Sequence, residues 1–380
     1  MQMWNIQLFK LNFDHREAKA VSNVLASGWI TMGQNIIDFE NKFGAMLGKN
    51  IYCSAVSSGT AAMHLAFMAL DIKPKDEVII PALTFVSDAN CVRLMNAKPV
   101  LADCGSSDDW NVTAESINKV ITKKTRAVVV VHYAGYPCDM KPIVELCKKK
   151  NIYLIEDCAH APGASINGKM CGAWGDIGCF SFFTNKNLSV GEGGMTSTKN
   201  PELAKRLSSL RSHGMTSVTL DRHKGRATTY DVSEPGINYR MDEMRAALGL
   251  VQLSKLKKAN LKRQKLTERY RKNFSNTSIK VPYANKSNVD LLSAFHILPI
   301  LLPNNLNRKD VINHLKEQGI QSSIHYPAFW DFSAYKNFFN KKKTPLALKI
   351  IPNELTLPLF PTMTISEVDK VTSCVLDLIT

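Results

Sequence analysis

Short apolar runs alternate with helical patterns along the first half of the chain. Four runs are rich in β-branched residues and too short for buried helices, so they predict buried strands at residues 77–81, 99–102, 127–133 and 152–155. Residues 61–70 and 142–150 between them show helical spacing. This alternation predicts an α/β domain around a largely parallel sheet, which binds ligands at the carboxyl ends of its strands.

The pattern changes after residue 238. Residues 241–275 predict one long helix that is strongly basic from Lys255 onward, and a strand-like run at 291–302 is followed by helical patterns at 308–319 and 366–378. We therefore predict two domains. Residues 1–250 form the large α/β domain, including an N-terminal segment, and residues 251–380 form a smaller α+β C-terminal domain.

Length and composition fit a two-domain enzyme. The chain has 380 residues, of which 45% are hydrophobic and 21% charged, which is ordinary globular usage and excludes disorder or a coiled coil. Its nine cysteines show no CxxC pair or other metal-ligand spacing, so we expect reduced thiols and no metal site. No signal peptide is visible and no stretch approaches the ~18 apolar residues of a membrane span, so we expect a cytoplasmic protein without a membrane partner.

The formal net charge of +15 favours anionic partners. A nucleic-acid surface would gather its basic residues on one face with interleaved aromatic residues. The lysine clusters here are instead spread over helix ends and outer faces. We interpret them as solvated surface that helps to attract a phosphorylated substrate, and we expect no nucleic-acid partner.

Two stretches present polar groups next to predicted elements. Residues 57–60, Ser-Ser-Gly-Thr, directly precede the helix predicted from residue 61, where free N–H groups favour a phosphate monoester and a simple hydroxyl cap is the alternative. Glu156 and Asp157 close the strand at 152–155, followed by His160. They are either a catalytic carboxylate site or the cap of a following helix.

Two further polar residues stand at element boundaries. Lys186 lies between the apolar run 179–183 and the glycine-rich turn 191–194. Burial there would lower its pKa and favour a nucleophilic amine that forms a Schiff base, whereas an ordinary surface lysine is the alternative. Asn238 immediately precedes the long helix, where it could cap the helix or reach a ligand.

Together these stretches, in this order, resemble the DegT/DnrJ/EryC1/StrS family of pyridoxal-phosphate-dependent sugar aminotransferases, which has the fold-type I architecture. The resemblance runs nearly end to end. The matching motifs lie at residues 28–33, 58–62, 156–161, 180–188, 191–194, 211–214, 236–240, 246–249 and 325–327.

The resemblance implies a role for each candidate residue. Lys186 would form the Schiff base with pyridoxal 5′-phosphate and later move the proton, and Asp157 would pair with the pyridinium nitrogen. The other cofactor-binding residues implied are Gly59, Thr60 and Ser181 at the phosphate, Phe85 on the ring face, His160 near the 3′-oxygen, and Asn238 at the phosphate of the neighbouring subunit. The site would thus be shared in a homodimer.

The resemblance also implies the reaction. Lys186 stands where a minority of the family, sugar 3-dehydratases, has histidine, so transamination is expected. L-Glutamate would be the donor, and a nucleotide-diphosphate-linked 3- or 4-keto deoxysugar the acceptor, for amino-sugar biosynthesis of a surface polysaccharide or a glycosylated metabolite. We assign His325 to the substrate. We also hypothesise that Arg222 and Arg226, in the hydrophilic segment 216–232, meet the diphosphate, with a surface loop as the alternative.

Three other functions remain open on the sequence. The same chemistry could act on a free cyclic ketone of the inosose type, for aminocyclitol synthesis. A pyridoxal-dependent sugar dehydratase is a second alternative. The third is a non-enzymatic regulatory protein that binds nucleic acid through the basic helix.

Overall fold

A seven-stranded sheet forms the centre of the computed structural model, which describes residues 4–216, 229–284, 290–336 and 338–379. In spatial order its strands are β1 (Tyr52–Val56), β9 (Gly194–Thr198), β8 (Ile177–Ser181), β5 (Tyr153–Asp157), β4 (Thr125–Val131), β2 (Glu77–Pro81) and β3 (Lys98–Ala102). Strand β9 is antiparallel to both neighbours, and all other pairs are parallel. This mostly parallel sheet confirms the predicted α/β class, and each of the four strands predicted in the first half of the chain matches an observed one.

Helices cover both faces of this sheet, so its central strands are buried on each side. Strands β2 and β8 are buried at every position, as expected for apolar runs without alternation. The helices of this half are α1 (His15–Ser27), α2 (Gln34–Leu47), α3 (Gly59–Ala69), α4 (Ser87–Leu94), α5 (Ala114–Asn118), α6 (Met140–Lys150) and α7 (Pro201–Leu210). Within the described residues, every helix is too short or too polar to span a membrane.

The C-terminal part carries its own small sheet. Strands β11 (Leu298–Leu301) and β12 (Glu354–Leu357) form an antiparallel pair, while β10 (Leu291–Leu292) joins the hairpin of β6 (Ser165–Ile166) and β7 (Lys169–Met170). The helices here are α8 (Glu243–Phe274), α9 (Arg308–Glu317), α10 (Pro345–Ile350) and α11 (Ile365–Leu376).

The prediction of one continuous strand-like run at 291–302 is wrong. Residues 293–297 leave the extended pairing, because the backbone N–H groups of Ala294 and His296 donate to the carbonyls of Gly135 and Ala134 (2.9 Å each). The apolar run is therefore split between two sheets, and its middle part is attached to the loop that follows β4.

Helix α8 has 32 residues and contacts helices from both ends of the chain. Near its start, Gln252 donates to Glu17 of α1 (2.7 Å), and near its end Arg269 forms a two-point ion pair with Asp369 of α11 (2.7 and 2.8 Å). It runs without interruption through residue 250. The domain boundary placed between residues 250 and 251 stays a prediction.

The first residue of α8 also caps another helix. The N-cap residue of α2 is Gly33, which has no side chain to offer the free N–H groups of the first turn. The buried Glu243 carboxylate replaces it, because Oε1 accepts from the N–H groups of Gly33 and Ile36 and Oε2 from that of Asn35 (2.9 Å each). Removing Glu243 therefore leaves several buried donors unpaired.

We expect Glu243→Ala to lower the free energy of unfolding by about 2–3 kcal/mol, the usual cost of leaving buried helix-capping donors without an acceptor. Urea denaturation followed by circular dichroism measures it. Glu202→Ala, which removes an exposed acidic residue from the first turn of α7, is the matched control and should change stability by about 0.5 kcal/mol or less. Equal stability of the two variants would contradict the capping role.

Candidate functional site

A cavity of about 380 Å³ opens at the carboxyl ends of the parallel strands. The last residues of β4, β5 and β8 line it, as expected for a ligand site in a parallel α/β sheet. The predicted site residues that the structure brings together there are Gly59, Thr60, Phe85, Asp157, His160, Ser181, Lys186 and His325.

One wall of the cavity is the N-terminus of α3. The helix begins at Gly59, two residues before the predicted start, and the Ser58 hydroxyl caps it by accepting from the N–H of Ala61 (3.0 Å). A Cβ atom on Gly59 would lie 2.7 Å from the Cβ of Ser181, so only glycine allows the helix end to approach β8 this closely. The two interpretations of residues 57–60 are compatible, because Ser58 caps the helix while Gly59 and Thr60 leave N–H groups for an anion.

Asp157 stands at the floor of the cavity, as the last residue of β5. Its Oδ1 accepts from the N–H of Ala159 (2.8 Å). Burial raises the pKa of Asp157 above the usual value, whereas the Ala159 N–H and the positive charge of Lys186 lower it. The carboxylate is therefore held in place on one oxygen, while the other remains available to a cationic or N–H group.

Glu156, the other member of the acidic pair, points away from the cavity, as alternation along a strand requires. Its carboxylate accepts from His132 Nε2 (3.0 Å) and from the N–H groups of Gly172, Trp174 and Gly175. His132 Nδ1 accepts from the Cys138 N–H, so Nε2 carries the proton. His132, Glu156 and Cys158 are close enough to hold a metal ion, but these hydrogen bonds already use both the imidazole and the carboxylate.

Lys186 faces Asp157 across the cavity. Burial lowers the pKa of its amine to about 8, although the Asp157 carboxylate raises it. The neighbouring Asn187 fixes the turn, because its amide donates to Asn260 Oδ1 (2.8 Å) and to the Ala294 carbonyl (2.7 Å) and accepts from His296 Nδ1 (2.8 Å). The lysine is thus a half-buried amine with a lowered pKa on a rigid support.

His160 and Tyr326 form a hydrogen-bonded pair at the side of the cavity. His160 Nδ1 accepts from the Ala134 N–H (3.2 Å), so Nε2 donates to the Tyr326 hydroxyl (2.7 Å). Burial lowers the pKa of His160 well below its usual value, and the nearby charge of Lys186 lowers it further. The imidazole is therefore neutral and has a fixed tautomer.

His325 is held by the small sheet. Its backbone N–H donates to Glu354 Oε2 (2.9 Å), and its ring nitrogen Nδ1 forms a hydrogen bond with the Thr356 hydroxyl (3.0 Å). Burial lowers the pKa of His325 to about 3 and raises that of Glu354 to about 8. Strand β12 thus positions a neutral imidazole at the cavity.

The structure does not place every predicted residue in the cavity. Asn238 is exposed outside the lining and forms a backbone bridge with Ser212. Arg222 and Arg226 lie outside the described residues. Sequence reasoning assigned no role to Tyr326, although it belongs to the 325–327 motif, or to Asp88, which no motif marks.

Comparison with known proteins shows which chains this one is similar to. Residues 12–376 match the sequence model of the DegT/DnrJ/EryC1/StrS aminotransferase family. The chain is 34% identical to GDP-perosamine synthase of Escherichia coli O157:H7 over 365 residues, which cover 96% of this chain and 95% of the relative.

Two solved structures extend the comparison. The putative sugar aminotransferase Spr1654 of Streptococcus pneumoniae in its PMP form superimposes with a TM-score of 0.90 at 27% identity, over 100% of both chains. PseC of Helicobacter pylori, an aminotransferase involved in the biosynthesis of pseudoaminic acid, gives 0.89 at 26% identity over 99% of both chains.

We expect the reactivity of Lys186 toward an acylating reagent to rise through about pH 8, because only the neutral amine reacts. Competitive labelling of the cofactor-free protein, read by mass spectrometry, measures this midpoint, with the exposed Lys149 as internal reference. Asp157→Asn should shift the midpoint to lower pH, because it removes the charge that stabilises the ammonium form. A Lys186 profile that coincides with that of Lys149 would contradict the burial argument.

Proposed function

Because the chain belongs to the DegT/DnrJ/EryC1/StrS aminotransferase family and is a pyridoxal-phosphate-dependent transaminase, we propose that it transfers the amino group of L-glutamate to a nucleotide-linked keto-deoxysugar. The product would be an amino sugar for a surface polysaccharide or a glycosylated metabolite. The observation that carries the proposal is the half-buried Lys186 amine, with its lowered pKa, in one cavity with the Asp157 carboxylate at the strand ends.

The end of α3 fits the phosphate of the cofactor. Free N–H groups at Gly59 and Thr60 and the hydroxyl of Ser181 line the same part of the cavity, and the macrodipole of α3 favours an anion at this end. A larger residue at position 59 would fill the space against Ser181. We assign these three residues to phosphate binding.

The floor and mouth of the cavity fit the ring. Asp157 has a free oxygen for the pyridine N–H, and neutral His160 stands nearby to contact the 3′-oxygen. Phe85, with 51% of its surface exposed, offers an aromatic face at the mouth. When bound, pyridoxal phosphate supplies an electron sink that stabilises negative charge at the carbon losing its proton.

The proton itself is moved by Lys186. With its pKa lowered to about 8, part of the amine is neutral near physiological pH and would be available as nucleophile and as base. The Asp157 carboxylate would hold the pyridine nitrogen in its protonated form. The hydrogen bonds of Asn187 make the support of the amine rigid, which would keep it in place for proton transfer.

The acceptor class rests on the relatives. The name GDP-perosamine synthase specifies a nucleotide-linked sugar, and PseC is an aminotransferase of pseudoaminic acid biosynthesis. We propose the same class for this chain, with His325 contacting the sugar. We also propose a homodimer in which the exposed Asn238 reaches the phosphate in the partner subunit's cavity, because Asn238 does not line the cavity of its own chain.

We expect Lys186→Ala to abolish turnover of L-glutamate with a nucleotide-linked 4-keto sugar, by at least about 10³-fold, because it removes both nucleophile and base. Mass spectrometry of the amino-sugar product measures turnover. Lys149→Ala, an exposed lysine on α6, is the control and should retain activity. Amination of a free cyclic ketone in preference to the nucleotide-linked sugar would overturn the acceptor assignment.

We expect the double substitution Arg222→Ala and Arg226→Ala to raise KM for the nucleotide-linked acceptor about 10-fold or more, since each charge-assisted contact to a diphosphate contributes about 1.5–3 kcal/mol. Steady-state kinetics with saturating glutamate measures it. An acceptor that lacks the nucleotide diphosphate is the control, and its KM should not change. An unaltered KM for the nucleotide-linked acceptor would contradict this role for the 216–232 segment.

A further inference from the structure

Asp88 is a second buried carboxyl group in the cavity that holds Asp157, and the reaction proposed above does not use it. It lies in the first turn of α4, is 1% exposed, and lines the cavity. Its Oδ2 accepts from the Thr84 hydroxyl (2.5 Å), whereas Oδ1 is buried and has no hydrogen-bond partner in the described part of the chain. A carboxylate with one hydrogen bond and a buried, bare oxygen is a costly arrangement.

The environment of Asp88 favours its neutral form. Burial raises the pKa of Asp88 well above the usual value, and the neighbouring Asp157 carboxylate raises it further, while only the Thr84 hydroxyl acts against them. The charge of Asp88 also raises the pKa values of three described neighbours, Cys91 on α4, Cys179 on β8 and Tyr326. Burial raises the same pKa values, so all three groups are neutral at physiological pH.

The two carboxyl groups differ in what stabilises their charge. Asp157 receives the Ala159 N–H at 2.8 Å and lies opposite Lys186, and both lower its pKa. Among the described residues, no backbone N–H and no cation is paired with the Asp88 carboxyl group. Neighbouring buried carboxyl groups avoid double ionisation by sharing one proton. The proton therefore belongs on Asp88, and because Thr84 donates to Oδ2, it belongs on Oδ1.

We propose that Asp88 is a positioning residue that stays protonated beside an ionised Asp157, so that the two carboxyl groups together present a single negative charge to the cofactor ring. This inference rests on the proposed function only in taking Asp157 as the partner of the pyridine nitrogen. The Oδ1–H is itself buried, so its proton is shielded from solvent, at a position where the family motifs mark no residue.

A neutral Asp88 has a consequence for Lys186. A second carboxylate in the cavity would stabilise the ammonium form and keep the amine protonated to higher pH. With Asp88 protonated, only Asp157 acts on Lys186, and the pKa of the amine stays at about 8. Asp88 therefore holds a proton that is not consumed in the reaction and keeps the charge of the site low.

Infrared difference spectroscopy on the cofactor-free full-length protein at neutral pH tests where the proton resides. The carbonyl stretch of a protonated carboxylic acid, identified by its shift in D₂O, is expected in the difference spectrum of wild type minus Asp88→Asn and absent from that of wild type minus Asp157→Asn. Glu354, whose pKa burial raises to about 8, contributes a protonated carboxyl group to every variant and cancels in these differences. Asp103→Asn is the control, because the Asp103 carboxylate accepts from two backbone N–H groups of α10 outside the cavity. Loss of the band in Asp157→Asn rather than Asp88→Asn would overturn the proposal.

The pH midpoint of Lys186 labelling provides a second measurement, because it depends on the charge of residue 88 and not on its packing. Asparagine matches a protonated Asp88 in charge, so Asp88→Asn should leave the Lys186 midpoint at about pH 8, whereas Asp157→Asn lowers it. A midpoint lowered equally by both substitutions would show that Asp88 is ionised. Asp88→Thr serves as the neutral variant if Asp88→Asn does not fold by circular dichroism.

These outcomes are separable from those of the proposed function. Neither the infrared band nor the labelling midpoint requires donor, acceptor or cofactor. A protein that fails to aminate nucleotide-linked sugars would still report the position of the proton, and an active protein without the Asp88 band would refute only the present inference.

Discussion

The mutual stabilisation of two opposite charges in one cavity, the Lys186 amine and the Asp157 carboxylate, is the constraint on which the rest of the site depends. Burial alone pushes both groups toward their neutral forms, and each charge acts on the other in the opposite direction. The balance lowers the pKa of the amine to about 8, so that part of it is neutral around physiological pH, and the charge of Lys186 opposes the rise in the pKa of Asp157. A site built this way requires that neither group be able to turn out into solvent.

The surrounding structure meets that requirement through neighbours in sequence. Glu156 anchors the strand beneath Asp157 with four hydrogen bonds, and Asn187 anchors the turn beside Lys186 to α8 and to the 293–297 segment. In each case the reactive residue carries few bonds of its own, and the adjacent polar residue supplies the rigidity. The polar residue next to each reactive one, Glu156 beside Asp157 and Asn187 beside Lys186, thus has a structural role.

The local sequence pattern predicted the fold well, because a buried parallel strand such as 77–81 can be recognised from its own apolar, β-branched residues. It also placed Asp157 at the carboxyl end of a strand, whereas Ser181 at the end of β8 was implied only by the family resemblance. It could not predict Asp88 or the capping by Glu243, because both depend on contacts between distant elements. The broken run at 291–302 was missed for the same reason, as its partners are the backbone groups of residues 134 and 135.

Helix α8 connects parts of the molecule that the sheets alone would leave separate. At 1.5 Å per residue it is about 48 Å long, and along that length it meets α1, the cap of α2, the Lys186 turn and α11. Its hydrogen bonds cannot open locally without releasing contacts to both ends of the chain. Slow amide exchange should therefore extend along the whole helix, with large and small sheets losing their structure in a single cooperative step rather than one after the other.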